Sequence, residues 1–372
     1  MNILYVFGFK YSLKLWHQTG SKEREFRFFE ALSKAGDVNF TLVTYGDLSD
    51  VNFIDKKNIS VIPLFSIFKK TNSKILTFLY SLLLPFKLKK NLSNIDLIKT
   101  NQLTGSWVAI LFSKILQKPL FLRTGYDAYL FARQEKNNYF KNIFFYQLTK
   151  LGLNSATFYS VTSKSDFDFI TKNYKFNKNK LIYRPNWIFK TEKKSDLSNR
   201  PSEFLLVGRL ERQKNFSYLI ETLENLNFAL DIIGEGSEKE NLKILAKEKN
   251  VKVNFLDKVG YFELNKLFQK YKYFVLPSLY EGNPKVLLEA MSNGCIPIVS
   301  DIPNHKEIVQ HNENGFIFSL NNPESLKSVF LNLHLIQNLE VLSDNAQQTV
   351  NINNSFEAAV LKEMDDYAAI LK

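Results

Sequence analysis

Two carboxylates and two cations stand out for type and spacing: Glu281 with Glu289, and Arg209 with Lys214. Glu281 falls in a polar stretch with Gly282, Asn283 and Pro284, after an apolar run at residues 273–277 that reads as a buried strand. Residues 285–292, opening on Lys285 and Val286, read as a helix stopped by Asn293 and Gly294, a left-handed C-cap signal. A second apolar strand follows at 296–300. This is a strand–loop–helix–strand unit of a parallel sheet, with its loop at the carboxyl edge where such sheets place ligands. Two helical turns span about seven residues, so Glu281 and Glu289 can lie on one side of a ligand, near and far. The helix start offers free N–H groups and favours an anion such as a diphosphate. Carboxylates beside an anion site suit a ligand that also presents hydroxyls, as a nucleotide sugar does. The alternative is an ordinary βαβ unit with surface acids.

The cations sit in a similar setting. A strand at 204–207 runs into Gly208 and Arg209, with Lys214 five residues later and Asn215 as the expected cap of a helix carrying Leu219, Ile220 and Leu223. Arginine gives planar, bidentate contacts and lysine a compact charge, a pairing that suits a diphosphate leaving group. Arg209 taken alone can equally be a surface residue. The strand at 230–235 ends in a loop with Gly234 and Gly236, a weak signal by itself. Residues 253–261 read as strand then loop, and 263–271 as a helix.

The elements that must position these groups fill a chain of 372 residues, long enough for two domains, with 45% hydrophobic residues to build cores. Residues 2–9, 38–44, 96–101, 119–123 and 158–162 read as strands. Residues 16–21 read as a loop, 23–35 as a helix capped by Ser21, and 163–173 as a helix capped by Ser163. This is a Rossmann-like start without a GxGxxG, which argues against a dinucleotide cofactor. Residues 189–202 are polar, without apolar period, and read as a linker. The expected domains are therefore 1–190 and 191–350, with a terminal helix at 351–372. The single cysteine, Cys295, excludes an internal disulfide and a cysteine-based metal cluster, and reads as a buried thiol. The first residues lack a basic leader, and the longest apolar run, 75–84, is too short to span a bilayer. The expected location is the cytoplasm.

Charge is uneven. Residues 1–190 carry 29 Lys+Arg against 12 Asp+Glu; residues 191–372 carry 20 against 25, giving +17 and −5 within a net +12. No zinc finger, RNA-binding or basic-helix pattern accompanies the basic half, so nucleic acid is not the expected partner. An anionic membrane surface is, unless the lysines are merely solvated. Residues 65–91 set Lys69, Lys70 and Lys74 before an apolar stretch and Lys87, Lys89 and Lys90 after it. That is the layout of an interfacial helix, or of a core-packed helix with solvated lysines.

The Glu281-x7-Glu289 pair, followed by PIVSDIPNHKEIVQHNENGFIF at 297–318, resembles the retaining glycosyltransferases of GT-B fold, family 4. Further points of likeness are Gly20, Glu23 and Arg24 of the family's Gly-Gly-x-Glu-Arg, and the Pro185-Asn186 turn. Ser21 stands where the second glycine usually falls, and can still offer its N–H. The resemblance implies an α/β fold of two Rossmann-like domains with a cleft between them, and a C-terminal helix crossing back to the first. It implies that Arg209 and Lys214 bind the donor diphosphate, that Glu281 holds sugar hydroxyls and Glu289 the ribose, and that residues 283–285 meet sugar and phosphate. Gly208, Gly234 and Val286 fall at the family's donor positions, and the backbone at Val259 and Gly260 meets the nucleobase. Gly20 and Ser21 approach donor phosphate or acceptor. Many members carry a histidine where this chain has Thr124, Tyr126 and Asp127. Asp127 can orient the acceptor hydroxyl or simply cap a helix, and His17 can contact acceptor or lie at the surface.

The resulting expectation is a retaining hexosyltransferase. It uses a nucleotide-diphosphate sugar as co-substrate, with no further cofactor and no metal, since no Asp-x-Asp lies beside a nucleotide strand. Its acceptor is expected to be a lipid-linked glycan precursor of a surface polysaccharide, met on the inner face of the cell membrane. A nucleotide-sugar epimerase of the same fold and a non-catalytic sugar-nucleotide or membrane-binding subunit are the rivals. Donor base, sugar, linkage and oligomeric state are not written in these motifs.

Overall fold

The computed structural model describes residues 1–135, 139–191, 196–200 and 202–372. Contacts divide it into two units, one of Met1–Arg184 with Glu357–Lys372 and one of Pro185–Phe356.

The first unit runs β1 (Asn2–Val6), α1 (Leu13–Gln18), α2 (Ser21–Gly36), β2 (Asn39–Thr44), β3 (Ile59–Pro63), α3 (Lys74–Leu88), β4 (Leu97–Thr100), α4 (Ser106–Leu116) and β5 (Leu120–Thr124). It continues with α5 (Ala128–Gln134), α6 (Tyr139–Ser155), β6 (Phe158–Val161), α7 (Lys164–Asn173) and β7 (Leu181–Tyr183). Its seven strands are ordered β3-β2-β1-β4-β5-β6-β7, all parallel. Helices cover such a sheet, so β1, β4 and β5 are almost wholly buried; they are apolar but for Asn2 at the start of β1 and the polar carboxyl ends Lys99-Thr100 of β4 and Arg123-Thr124 of β5. Residues 16–18 of the segment expected as a loop belong to α1, because Ser12 accepts a capping bond from Leu15 N–H and Leu13 and Trp16 are buried; only Thr19 and Gly20 lie between the helices. The next helix starts at Ser21 itself and is capped by Gly20, so Ser21 is not the cap. Gly20 has φ 73°, a left-handed conformation that costs most side-chain-bearing residues about 1–2 kcal/mol. Ser163 caps α7 as expected, through Asp166 N–H.

The second unit runs β8 (Ser202–Val207), α8 (Phe216–Thr222), β9 (Ala229–Ile233), α9 (Lys239–Glu248), β10 (Lys252–Leu256), α10 (Tyr261–Phe268) and β11 (Tyr271–Leu276). After these come α11 (Lys285–Ser292), β12 (Ile296–Ser300), α12 (Pro303–Lys306), β13 (Phe316–Phe318), α13 (Pro323–Asn332) and α14 (Leu339–Asn353). Six parallel strands are ordered β10-β9-β8-β11-β12-β13. Helix α10 lies two to three residues earlier than the sequence suggests, since Tyr271 already pairs in β11. The segment expected as a linker is only partly one. Leu197 is buried in the core of this unit, and Arg200 donates to the carbonyls of Tyr271 (2.6 Å) and Asn293 (2.8 Å). Residues 192–195 and 201 of that segment lie outside the described residues. Cys295 is fully buried, and burial pushes its thiol up to about 12.

The last helix, α15 (Phe356–Leu371), belongs to the first unit from Glu357 onward. Its anchors are ionic. Lys99 on β4 pairs with Glu363, and Tyr367 donates its hydroxyl to Glu363 (2.6 Å). Arg184 makes a two-pronged contact with Asp366 at 2.6 and 2.8 Å. Lys99 is buried, and the loss of water holds its ammonium well below its usual range.

Candidate active site

A parallel sheet leaves a crevice beyond its strand ends where the strand order reverses, because the flanking helices cross over on opposite faces there. In the second unit the reversal lies between β8 and β11. The loops after these two strands carry Gly208, Arg209 and Lys214 on one side and Ser278 to Lys285 on the other.

The loops are stitched together. Lys214 Nζ donates to Glu281 Oε1 at 2.5 Å, with both side chains buried. Ser278 Oγ donates to the same carboxylate oxygen at 2.7 Å. Gln213 Nε2 donates to the carbonyl of Tyr280 at 2.8 Å, and Leu279 N–H to the carbonyl of Gln213 at 2.9 Å. Arg209 remains exposed and reaches Gln213 Oε1 at 3.3 Å. Asn215 does stand at the N-cap of α8, yet its side chain makes no capping bond. It is left-handed (φ 57°), and its amide donates to Pro277 O at 3.1 Å, tying the two loops together again. Gly234, at φ 155°, backs onto Gly208, and a Cβ there would stand 1.8 Å from the Gly208 carbonyl oxygen.

Helix α11 occupies the span expected from the sequence. Pro284 stands at its N-cap and supplies no side-chain cap; the N–H groups of Leu287 and Leu288 turn back to the Pro284 carbonyl, and the positive end of the helix dipole faces the loop, where it favours an anion. Gly282, Asn283, Pro284 and Glu289 are buried, while Lys285 and Val286 are half-buried. Asn283 is held by Asn186, whose N–H donates to Asn283 Oδ1 (3.0 Å) and whose amide donates to Asn283 O (2.6 Å). The Lys285 ammonium lies over the Trp187 ring, 5.2 Å from its centroid. Val259 packs partly on the core, and the exposed Gly260 caps α10 with open space around it.

Four residues of this arrangement escaped the sequence reading: Gln213, Ser278, Ser300 and His305. Ser300 Oγ donates to Ser278 O (2.6 Å), and His305 Nδ1 lies 3.1 Å from Ser300 O. Burial drives the imidazole down to about 4, so it is neutral; with its proton on Nδ1, Nε2 is a buried acceptor with no hydrogen-bond partner. A polar residue three positions before Glu281 was the available signal for Ser278. Nothing in the sequence pointed to His305.

Gly20, Ser21 and Asp127 belong to the first unit. Asp127 caps α5, its Oδ1 accepting from Leu130 N–H at 2.7 Å, while Oδ2 is buried without a hydrogen-bond partner. Burial raises this carboxyl to about 6. His17 is exposed on α1, its ring against Phe53. Among the described residues no group of His, Cys, Asp and Glu is placed to hold a metal ion.

The second-unit arrangement thus offers an exposed guanidinium, a buried ammonium–carboxylate pair and a helix start at one strand edge. It can oppose the charge of a diphosphate and hydrogen-bond to hydroxyls.

Residues 188–348 match the family described as Glycosyl transferases group 1. An uncharacterized glycosyltransferase of Haemophilus influenzae is 36% identical over 163 residues, 41% of this chain and 45% of that protein. The UDP-Gal:alpha-D-GlcNAc-diphosphoundecaprenol alpha-1,3-galactosyltransferase of Escherichia coli is 31% identical over 183 residues, 47% of this chain and 46% of that protein. The chain spans less than half the length of these curated relatives. The solved sucrose-phosphate synthase of Thermosynechococcus elongatus superimposes with a TM-score of 0.83 over 100% of this chain and 99% of that one, at 16% identity. The fold is thus the two-unit GT-B architecture, and residues 188–348, less than half of the chain, carry the likeness to the family described as Glycosyl transferases group 1.

Proposed function

We infer that the chain is a retaining hexosyltransferase of family 4, moving a hexose from a nucleotide-diphosphate sugar to a hydroxyl of a lipid-linked glycan precursor. The observation that carries this reading is the convergence of Arg209, Lys214, Glu281 and the start of α11 at the strand reversal of the second unit. As the glycosidic bond breaks, negative charge grows on the departing diphosphate. Arg209, Lys214 and the α11 N–H groups oppose that charge from fixed positions, the most effective form of transition-state stabilisation. These groups serve without a metal ion. Glu281 holds sugar hydroxyls, Glu289 the ribose, and the backbone at Val259 and Gly260 the base. The acceptor attacks on the leaving-group face, and the leaving phosphate takes up its proton. Asp127 orients the acceptor hydroxyl. The diphosphoundecaprenol acceptor in the name of the Escherichia coli relative supports a lipid-linked substrate. The basic first half supports a peripheral site of action on the inner membrane face.

The test is thermal stabilisation by UDP, GDP, ADP and their common sugars, since a ligand bound only by the native state stabilises it by mass action. One base class raises the melting temperature, Arg209→Ala abolishes the rise, and EDTA leaves it unchanged. Well-folded protein that responds to none at millimolar ligand sinks the donor-site reading. Retention is read from the anomeric configuration of the product by NMR.

A further inference from the structure

Helix α3 is two-faced. Thr77, Ser81, Leu84 and Leu88 are buried, while Ile75, Leu76, Leu79, Leu83 and Phe86 are exposed, Ile75 by 74% and Phe86 by 64%. The exposed set recurs at helical spacing and forms one ridge. Helix α6 repeats the pattern. Leu148, Thr149, Gly152 and Leu153 face inward, while Tyr139, Phe140, Ile143 and Phe144 face outward, Phe140 exposed by 76%.

The two ridges share one side of the first unit. Helix α4 lies between them, packing on both α3 and α6 and on β4 and β5. Trp107 of α4 links the three, its ring against Phe78 of α3 and near Phe145 of α6, its indole N–H donating to Ser81 of α3 at 3.1 Å. In a parallel sheet the helix that returns to the next strand starts at the carboxyl edge. Both helices therefore start near that edge, the edge where the β5–α5 connection places Asp127, and the exposed apolar residues of α6 lie in its first turns.

Charge frames the α3 ridge. Residues 56–95 contain eight lysines and no acidic residue. Lys70 pairs with Asp47. Lys69, Lys74, Lys87, Lys89 and Lys90 are exposed, with no carboxylate partner among the described residues. A second copy of the chain docking through this face would bring the same lysines together, which disfavours it. No described helix is long and apolar enough to cross a membrane. Apolar ridges edged by cations instead suit the headgroup boundary, the acyl region taking the apolar side chains and anionic headgroups the lysines.

We propose that α3 and α6 form a single docking surface for an anionic phospholipid bilayer, inserting both ridges side by side and turning the carboxyl edge of the first sheet toward the lipid. The proposal deepens the lipid-linked acceptor reading and rests on it for its purpose. Its test is sedimentation of the full chain with vesicles of equal parts phosphatidylglycerol and phosphatidylcholine, against pure phosphatidylcholine. The wild type binds the anionic vesicles only. Leu79→Ser/Leu83→Ser/Phe86→Ser in α3 and, separately, Phe140→Ser/Ile143→Ser/Phe144→Ser in α6 each weaken that binding at least about tenfold. Both variants change solvent-facing residues, and circular dichroism checks that they fold. No vesicle binding by the wild type, or wild-type binding by either variant, overturns the proposal. So does a wild-type dimer that the substitutions split while vesicle binding persists. Stabilisation by nucleotide sugar is read on the same samples. Its retention in variants that lose the vesicles separates the docking surface from the transferase reading, which fails only if that stabilisation is absent.

Discussion

Asp127 offers a perturbation in which stability and function are expected to move in opposite directions. An unfolded aspartate titrates near 3.8, and the folded Asp127 near 6, because burial disfavours its charge more than the cap bond favours it. Between those values the folded protein keeps a proton that the unfolded chain has lost. The contribution of this group to stability is therefore full below about pH 4 and is lost as pH rises through about 6. The rise amounts to about 3 kcal/mol of disfavoured ionisation at neutral pH. Asp127→Asn keeps the oxygen that accepts from Leu130 N–H and removes the charge. It also puts an amide nitrogen where Oδ2 lacks a partner, a pH-independent cost of about 1–3 kcal/mol. The robust quantity is thus the difference in unfolding free energy between variant and wild type, followed by urea titration from about pH 4 to about pH 8. It shifts in favour of the variant by about 3 kcal/mol across that range. A difference that stays flat with pH refutes the argument. Transfer activity of the same variant falls at least about a hundredfold if the carboxylate orients the acceptor hydroxyl. Unchanged activity in the variant leaves Asp127 as a helix cap alone.

The buried ion pairs give two further tests, one per unit. Lys214→Met leaves Glu281 buried with the hydrogen bonds of Ser278 and Gln213 but no cation, and costs about 3–5 kcal/mol in urea denaturation, while Lys214→Met/Glu281→Leu recovers most of it. Equal losses in single and double variants mean that the pair is not coupled. Lys99→Met strands Glu363 against Tyr367 in the same way, and amide exchange in residues 356–371 accelerates before the rest of the chain unfolds. Unaltered protection of that helix contradicts the anchoring role of Lys99.

Much of the second unit was legible because its signals are local. The strand, loop, helix and stop around Glu281 are each set by neighbours in sequence, and α11 and β12 fall where the apolar pattern and Asn293-Gly294 put them. The first connection was less legible. Residues 16–21 look polar, yet Ser12 caps a short helix there whose buried side chains are only Leu13 and Trp16. The Lys214–Glu281 pair spans 67 positions, and no spacing rule ties residues so far apart. His305 was invisible because its neutrality comes from complete burial, a tertiary fact. Asp127 carried two readings in the sequence. The cap bond establishes one, and the orphaned second oxygen keeps the other open to experiment.

The return of the chain to its first unit at Glu357 bears on the order of assembly during synthesis. Domains of a growing chain commonly fold in the order in which they leave the ribosome. Here the unit that starts first must wait, since Lys99 has no Glu363 and Arg184 no Asp366 until the far end of the chain is made. Residues 185–356, with their own sheet and cores, can close in the meantime. A nascent chain stalled before residue 357 would hold a protease-resistant second half and a first half whose Lys99 and Arg184 lack the carboxylates and the helix that cover them. Chaperone demand should accordingly concentrate on the first unit, which is begun before the second and completed after it.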